Sequence, residues 1–118
     1  MKVLIVDDSE QMRQLERTYI ESLADDIREC ADGSEALAVY TNFEPDWVLM
    51  DWKMKEMDGL TATQQIMKSY PQARILFITQ FDDDFLRQSA REAGAYGYLL
   101  KEDLSGLRSI ITKEINFW

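Results

Sequence analysis

Three carboxylates, a hydroxyl and an ammonium each follow a short apolar run, and as a set they are equipped for phosphoryl chemistry. The run at 3–6 leads to Asp7 and Asp8, that at 47–50 to Asp51, that at 75–78 to Thr79, and that at 98–100 to Lys101. Clustered carboxylates need compensation, because two unit charges about 4 Å apart repel by roughly 4 kcal/mol at an effective dielectric near 20. A divalent cation beside Lys101 supplies it. Oxygen ligands suit a hard cation such as Mg2+, which takes few carboxylates and leaves coordination positions open for a phosphoryl oxygen. A carboxylate is also a nucleophile toward phosphorus, giving an aspartyl phosphate. Asp51 is the candidate, since it closes a central apolar run. The transferred group spreads its charge over several oxygens, and Lys101 and Thr79 are the cation and hydroxyl donor to receive it. Singly, each residue has an ordinary reading: Thr79 as a strand-end cap, Lys101 as a solvated cation, Asp7 and Asp8 as a turn. Their recurrence after four successive runs favours the chemistry.

For these side chains to meet, the runs must be parallel strands with their carboxyl ends on one edge, where open α/β sheets place their ligands. The continuously apolar runs at 3–6, 47–50 and 75–78 fit central strands covered on both faces. The segment 27–31 alternates and fits an edge strand. Between the runs lie helix-length segments. Met12, Leu15, Tyr19 and Leu23 are spaced as one apolar stripe, and so are Leu104, Leu107, Ile111 and Ile115. Asp32-Gly33-Ser34-Glu35 has capping-box spacing and predicts a helix from there to about Asn42. Pro71 ends the helical segment 60–70, and Gly94 sits at the C-cap of a helix begun near Asp83. The pattern is strand then helix, five times, which implies right-handed crossovers and a mainly parallel sheet. In the flavodoxin-like order 2-1-3-4-5, the first and third strands are neighbours, so Asp7, Asp8 and Asp51 converge.

Composition narrows the function classes. The 118 residues suit one domain, 1–118, and no apolar stretch approaches the ~20 residues of a spanning helix, so no membrane span is expected. Met1 to Val6 meets Asp7 without the long apolar region of a secretory signal, and a cytoplasmic location is expected. With no histidine and Cys30 as the only cysteine, a disulfide framework, a Cys/His zinc site and histidine acid-base catalysis are excluded. A formal charge of −9 opposes direct nucleic-acid binding.

The segments Val3-Leu4-Ile5-Val6-Asp7-Asp8, Val48-Leu49-Met50-Asp51, Met54-Lys55-Glu56-Met57-Asp58-Gly59 and Gly97-Tyr98-Leu99-Leu100-Lys101 resemble the receiver domains of two-component response regulators, over essentially the whole chain. The resemblance implies Asp51 as phosphoacceptor, Asp7 and Asp8 as the acidic pair that holds Mg2+, and the backbone carbonyl of Lys53 as a further ligand. Thr79 matches the hydroxyl after the fourth strand, Lys101 the phosphate-contacting lysine, and Tyr98 the aromatic that changes rotamer on activation. A sensor histidine kinase is the implied donor. The implied surface for an output domain or a homodimer runs from Asp83 to Phe117, with Arg87, Arg91, Glu92, Arg108 and Lys113 as polar contacts. Leu99-Leu100-Lys101-Glu102 is most similar to receivers of transcription factors with a helix-turn-helix output. No output domain is expected within the chain, which reads as excised from a regulator or as a stand-alone receiver.

Four positions depart from the pattern. Lys55 replaces a common proline, which loosens the loop after Asp51. Lys53 stands where relatives vary and tune the phosphoryl lifetime. Gln80 replaces a small residue and either restricts access to Asp51 or adds a hydrogen bond. Glu102 replaces a proline, so a trans bond is expected before it. The leading reading is a phosphorylation-controlled switch, a phosphoacceptor that assists its own modification and is not an enzyme acting on a separate substrate. The main alternative is an atypical receiver that binds partners without phosphorylation. A Mg2+-dependent phosphotransfer enzyme is disfavoured, because such enzymes carry an acid-base aspartate where Lys53 stands. A flavin carrier is disfavoured by the acidic loop at 7–9.

Overall fold

Apolar residues recur without interruption through the central strands because both faces of the sheet are covered, and the strands divide their side chains between two cores. In the computed structural model, which describes residues 1–113 and 118, the strands are β1 (Lys2–Val6), β2 (Asp26–Cys30), β3 (Trp47–Met50), β4 (Ile75–Thr79) and β5 (Gly97–Leu100). They form one sheet of order β2-β1-β3-β4-β5, every neighbouring pair parallel, which is the flavodoxin-like arrangement expected. The helices are α1 (Glu10–Ile20), α2 (Ala36–Phe43), α3 (Gly59–Ser69), α4 (Asp84–Glu92) and α5 (Leu107–Lys113). Leu4, Val6, Val48, Met50, Ile75 and Phe77 face a core with α2, α3 and α4. Val3, Ile5, Trp47, Leu49, Leu76 and Ile78 face the other, with α1 and α5. No helix among the described residues is long and apolar enough to cross a membrane.

Caps fix where three helices leave the sheet edge. The Ser9 hydroxyl accepts from the Met12 amide at 3.2 Å, Asp58 from Thr61 at 2.8 Å and Asp83 from Leu86 at 3.0 Å, each satisfying an otherwise unpaired amide of the first turn. Gly94, at φ +94°, ends the α4 turn in a conformation that side chains disfavour.

Two sequence expectations change. Leu15 is 45% exposed, so the apolar stripe of α1 is not Met12, Leu15, Tyr19 and Leu23 as a set. Met12, Tyr19 and Leu23 do reach the core, but the fully buried positions beside them are Glu16 and Ile20, because the sheet contacts a face rotated by one residue. The capping-box segment does not start an α-helix directly. A 3-10 turn, Gly33–Glu35, intervenes before α2, and the Asp32 carboxylate, besides capping Ser34, reaches into the loop after β3. In the last stripe Leu104, Leu107 and Ile111 are buried together with Ile110, whereas Ile115 lies outside the described residues. No cis peptide occurs among the described residues, so the bond before Glu102 is trans as expected.

Candidate functional site

Sheet register alone brings the acidic residues together. Val6 is level with Met50 in the β1–β3 pair, and the Asp51 amide donates to the Val6 carbonyl at 2.9 Å, so Asp7 and Asp51 leave adjacent strands side by side. Thr79 is level with Leu100 in the β4–β5 pair, which starts Lys101 from the same edge. Its ammonium Nζ lies 3.2 Å from Asp7 Oδ2 and 3.3 Å from Asp51 Oδ1, bridging the two carboxylates. One oxygen from each of Asp7, Asp8 and Asp51 lies within 4.8 Å of the others. Asp7 and Asp51 are buried, while Asp8 is exposed and lines the mouth of a cleft of about 540 Å3. Ser9, Met12, Asp51, Lys53, Met54, Lys55, Gln80, Phe81 and Lys101 complete its walls.

The charges are held under tension. Burial, reinforced by the Asp7 charge, pushes the Asp51 carboxyl up to about 6, against the opposing pull of Lys101 and of the Trp52 amide that donates to Asp51 Oδ1 at 2.9 Å. Burial alone would lower Lys101, but Asp51 and Asp7 outweigh it and hold the ammonium above its ordinary value. Asp7 Oδ1 accepts the Ser9 amide at 2.9 Å, whereas Oδ2 is buried and takes no aligned hydrogen bond; its near neighbour is Lys101. A buried carboxylate oxygen whose one near partner is an ammonium, within reach of two further carboxylates, belongs to a donor set that fits a hard cation.

Neighbouring elements brace these loops. Arg13 donates to the Asp7 carbonyl at 2.6 Å and pairs with Glu29 of β2 at 2.9 Å, which ties the turn after β1 to α1. Gly59, the first residue of α3, donates to the Trp52 carbonyl at 2.7 Å, and a Cβ there would fall 1.9 Å from the Asp51 carbonyl oxygen. Only glycine permits that approach, which closes the loop from Asp51 to α3.

Thr79 and Tyr98 form a second group, outside the cleft lining. The Thr79 hydroxyl, fully buried, accepts the Phe81 amide at 3.3 Å, and the Tyr98 hydroxyl donates to the Phe81 carbonyl at 2.6 Å. Burial raises the Tyr98 phenol, and the Arg87 guanidinium lies 4.9 Å above its ring. Phe81 thus links Thr79 and Tyr98 to the cleft wall. Gln80 and Lys53 are exposed at that wall. Within the proposed partner surface, Arg87 pairs with Asp82 at 2.8 Å, and Arg108 is already engaged with Ser22 Oγ at 2.6 Å on the α1 side. Arg91, Glu92 and Lys113 are exposed. Phe117 lies outside the described residues.

Two site neighbours escaped the sequence reading. Glu16 is 1% exposed, with Oε2 unpartnered, and burial first, then Asp7, pushes its carboxyl well above the ordinary value. Its signal was present: it falls four residues from both Met12 and Ile20, on the face that meets the sheet. Asp32 is the other: its sequence pattern predicts only a cap, whereas its carboxylate also accepts the Glu56 and Met57 amides.

Comparison with known proteins agrees with the geometry. The response regulator receiver domain family matches residues 3–112. The response regulator protein VraR of Staphylococcus aureus is 41% identical over 103 residues, covering 86% of this chain and 49% of VraR, so the chain spans about half the length of the curated relatives it matches. A LuxR-family two-component response regulator from Aurantimonas sp. SI85-9A1 superposes with a TM-score of 0.90 at 31% identity, covering 99% of this chain and 88% of that one. A chain of the CheX-CheY-BeF3-Mg+2 complex from Borrelia burgdorferi superposes at 0.85 with 29% identity, covering 98% and 90%. An acidic edge built by parallel register, a lysine returning to it from the last strand, and a family match across nearly every described residue have one common account: the chain belongs to the response regulator receiver domains of two-component systems.

Proposed function

We propose that this receiver is a phosphorylation-controlled switch in which Asp51 accepts a phosphoryl group from the phosphohistidine of a sensor kinase. The observation that carries the reading is the Lys101 ammonium held between Asp7 and Asp51 at the mouth of an open cleft. An Asp51 carboxylate oxygen forms the new bond to phosphorus while the phosphorus–nitrogen bond breaks, and the histidine nitrogen keeps the electron pair and takes a proton. With its carboxyl at about 6, Asp51 is mostly anionic at neutral pH and is the more nucleophilic for being raised. Lys101 is positioned to follow the charge from the carboxylate to the phosphoryl oxygens, and the Thr79 hydroxyl is the donor for a further one.

Asp7, Asp8 and Asp51, with the Lys53 backbone carbonyl, are the residues that would hold Mg2+. When bound, the ion would supply positive charge that screens the carboxylates from one another and from an incoming phosphoryl group. The Borrelia burgdorferi relative, solved with BeF3 and Mg+2, supports the assignment. Recruitment of Thr79 to the phosphoryl group draws on its bond to Phe81, and Phe81 holds the Tyr98 hydroxyl, so the signal passes from Asp51 to the α4–β5 surface through those two contacts. The receptor of that signal is an output domain or a second copy of the chain docking between Asp83 and Phe117. The length of VraR and the LuxR-family likeness favour a DNA-binding output.

Intact mass after incubation with Mg2+ and acetyl phosphate tests the reading. One phosphate adduct, dependent on Mg2+ and absent from Asp51→Asn, is expected. A folded wild-type protein that binds Mg2+ and yet gains no adduct would favour a phosphorylation-independent receiver. Gln80 and Lys53, both at the cleft wall, are the residues to revert in that case.

A further inference from the structure

The cleft wall formed by Lys53, Met54 and Lys55 belongs to a segment that contains no proline and no regular structure between Asp51 and α3. Its two ends are nevertheless fixed. At the start, Trp52 is held by its amide on Asp51 Oδ1 and its carbonyl on the Gly59 amide. At the end, the segment is held from outside. Asp32 Oδ1 accepts the Glu56 amide at 2.9 Å, and Oδ2 accepts both the Met57 amide at 3.2 Å and the Ser34 amide at 2.9 Å. One 8%-exposed carboxylate therefore joins the turn after β2 to the loop after β3 through three backbone amides. Beside it, a Cβ on Gly33 would lie 2.5 Å from the Met57 carbonyl oxygen, so the two loops meet backbone to backbone. The Ser34 hydroxyl adds a contact of 3.3 Å to Glu56 Oε2.

A helix cap needs only the Ser34 contact. The two bonds across to Glu56 and Met57 do nothing for α2, but they set where the chain at 53–55 runs.

We propose that Asp32 is a positioning residue for the cation and phosphoacceptor site: by clamping Glu56 and Met57 it fixes the 53–55 wall and, with it, the Lys53 carbonyl assigned above as a Mg2+ ligand. The proposal rests on that functional reading for its metal half and on the hydrogen bonds alone for its structural half. Asp32→Asn keeps the size of the side chain but turns an NH2 group toward amide donors, which removes at least one of the three bonds.

The test compares wild type, Asp32→Asn and a control, Ile110→Ala, which removes core packing from α5 on the opposite face. Calorimetric titration with Mg2+ should give about tenfold weaker binding for Asp32→Asn, the range for residues that orient metal ligands, and unchanged binding for the control. Amide hydrogen exchange without metal should be faster at 53–57 in Asp32→Asn and unchanged there in the control. Unaltered exchange at 53–57 overturns the clamp. Altered exchange with Mg2+ affinity within twofold of wild type overturns its role in the site. If wild type binds no Mg2+, the functional reading above fails and the metal half of this proposal with it, while exchange still decides the clamp.

Discussion

Replacing Glu16 with leucine should make the protein more stable, by an amount that depends on pH. The side chain is 1% exposed on the face of α1 that meets the sheet, its Oε2 has no hydrogen-bond partner, and the negative charges of Asp7, Asp51 and Glu29 oppose its ionisation with only Lys101 in favour. Leaving a buried polar group unsatisfied costs about 1–3 kcal/mol, and a leucine of similar size would gain packing in its place. A stabilisation of about 2 kcal/mol at pH 8 is expected, roughly 8 °C in melting temperature for a domain this small. The direction with pH follows from linkage. Burial raises the folded carboxyl above its unfolded value of 4.5, so the folded state binds the proton more tightly. Wild type therefore gains stability relative to Glu16→Leu as pH falls from the raised value toward 4.5, and the advantage of leucine shrinks over that window. Urea unfolding of both proteins from pH 8 to pH 4.5, without divalent cations, measures the difference directly, other titrating groups being common to both. A leucine variant less stable at pH 8, or a difference that stays constant with pH, would refute the argument, since either means that Glu16 is ionised and satisfied in the fold.

Three further outcomes are expected. Carbon-13 NMR titration of Asp51 should find its carboxyl near 6 without metal, so that the anionic share falls roughly tenfold between pH 7 and pH 5, and added Mg2+ should move the midpoint down. Lys101→Met leaves Asp7 and Asp51 to repel without a cation; discounted for the partial exposure of the lysine, the loss should be about 2 kcal/mol at pH 8, and it should diminish at pH 5 or on adding Mg2+, as urea unfolding would show. Gly59→Ala puts a methyl group against the Asp51 carbonyl and should cost about 3 kcal/mol, visible as a lowered unfolding midpoint or loss of the folded fraction by circular dichroism.

The central strands were legible in the sequence because a parallel sheet with both faces covered writes itself as uninterrupted apolar runs, their order followed only from the flavodoxin-like arrangement that strand–helix alternation suggests, and the meeting of Asp7, Asp51 and Lys101 was legible because each ends such a run. The rest depended on rotation and on contacts between loops, which one-dimensional spacing carries weakly. Glu16 takes the buried place expected of Leu15 through a one-residue rotation of α1, a difference that periodicity alone does not resolve. Asp32 fits a capping pattern that involves only its near neighbours, whereas two of its three bonds go to amides more than twenty residues away. The separation of Thr79 and Tyr98 from the cleft, with Phe81 between, follows from the path of the chain after β4 and has no sequence signature.

The reach of Lys101 from β5 to Asp7 and Asp51 also bears on how the chain folds. The residues that repel directly follow β1 and β3, which are neighbours in the sheet, whereas the residue that neutralises them follows β5 at the sheet edge, fifty residues after Asp51. Any partly folded form with β1 and β3 paired but β5 undocked brings the acidic pair together without its counter-charge. Such forms are penalised, so the acidic edge steepens the folding transition and makes docking of β5 a condition for keeping β1 and β3 together. The same charges proposed to receive a signal in the finished protein thereby act, during assembly, as a check that the sheet is complete.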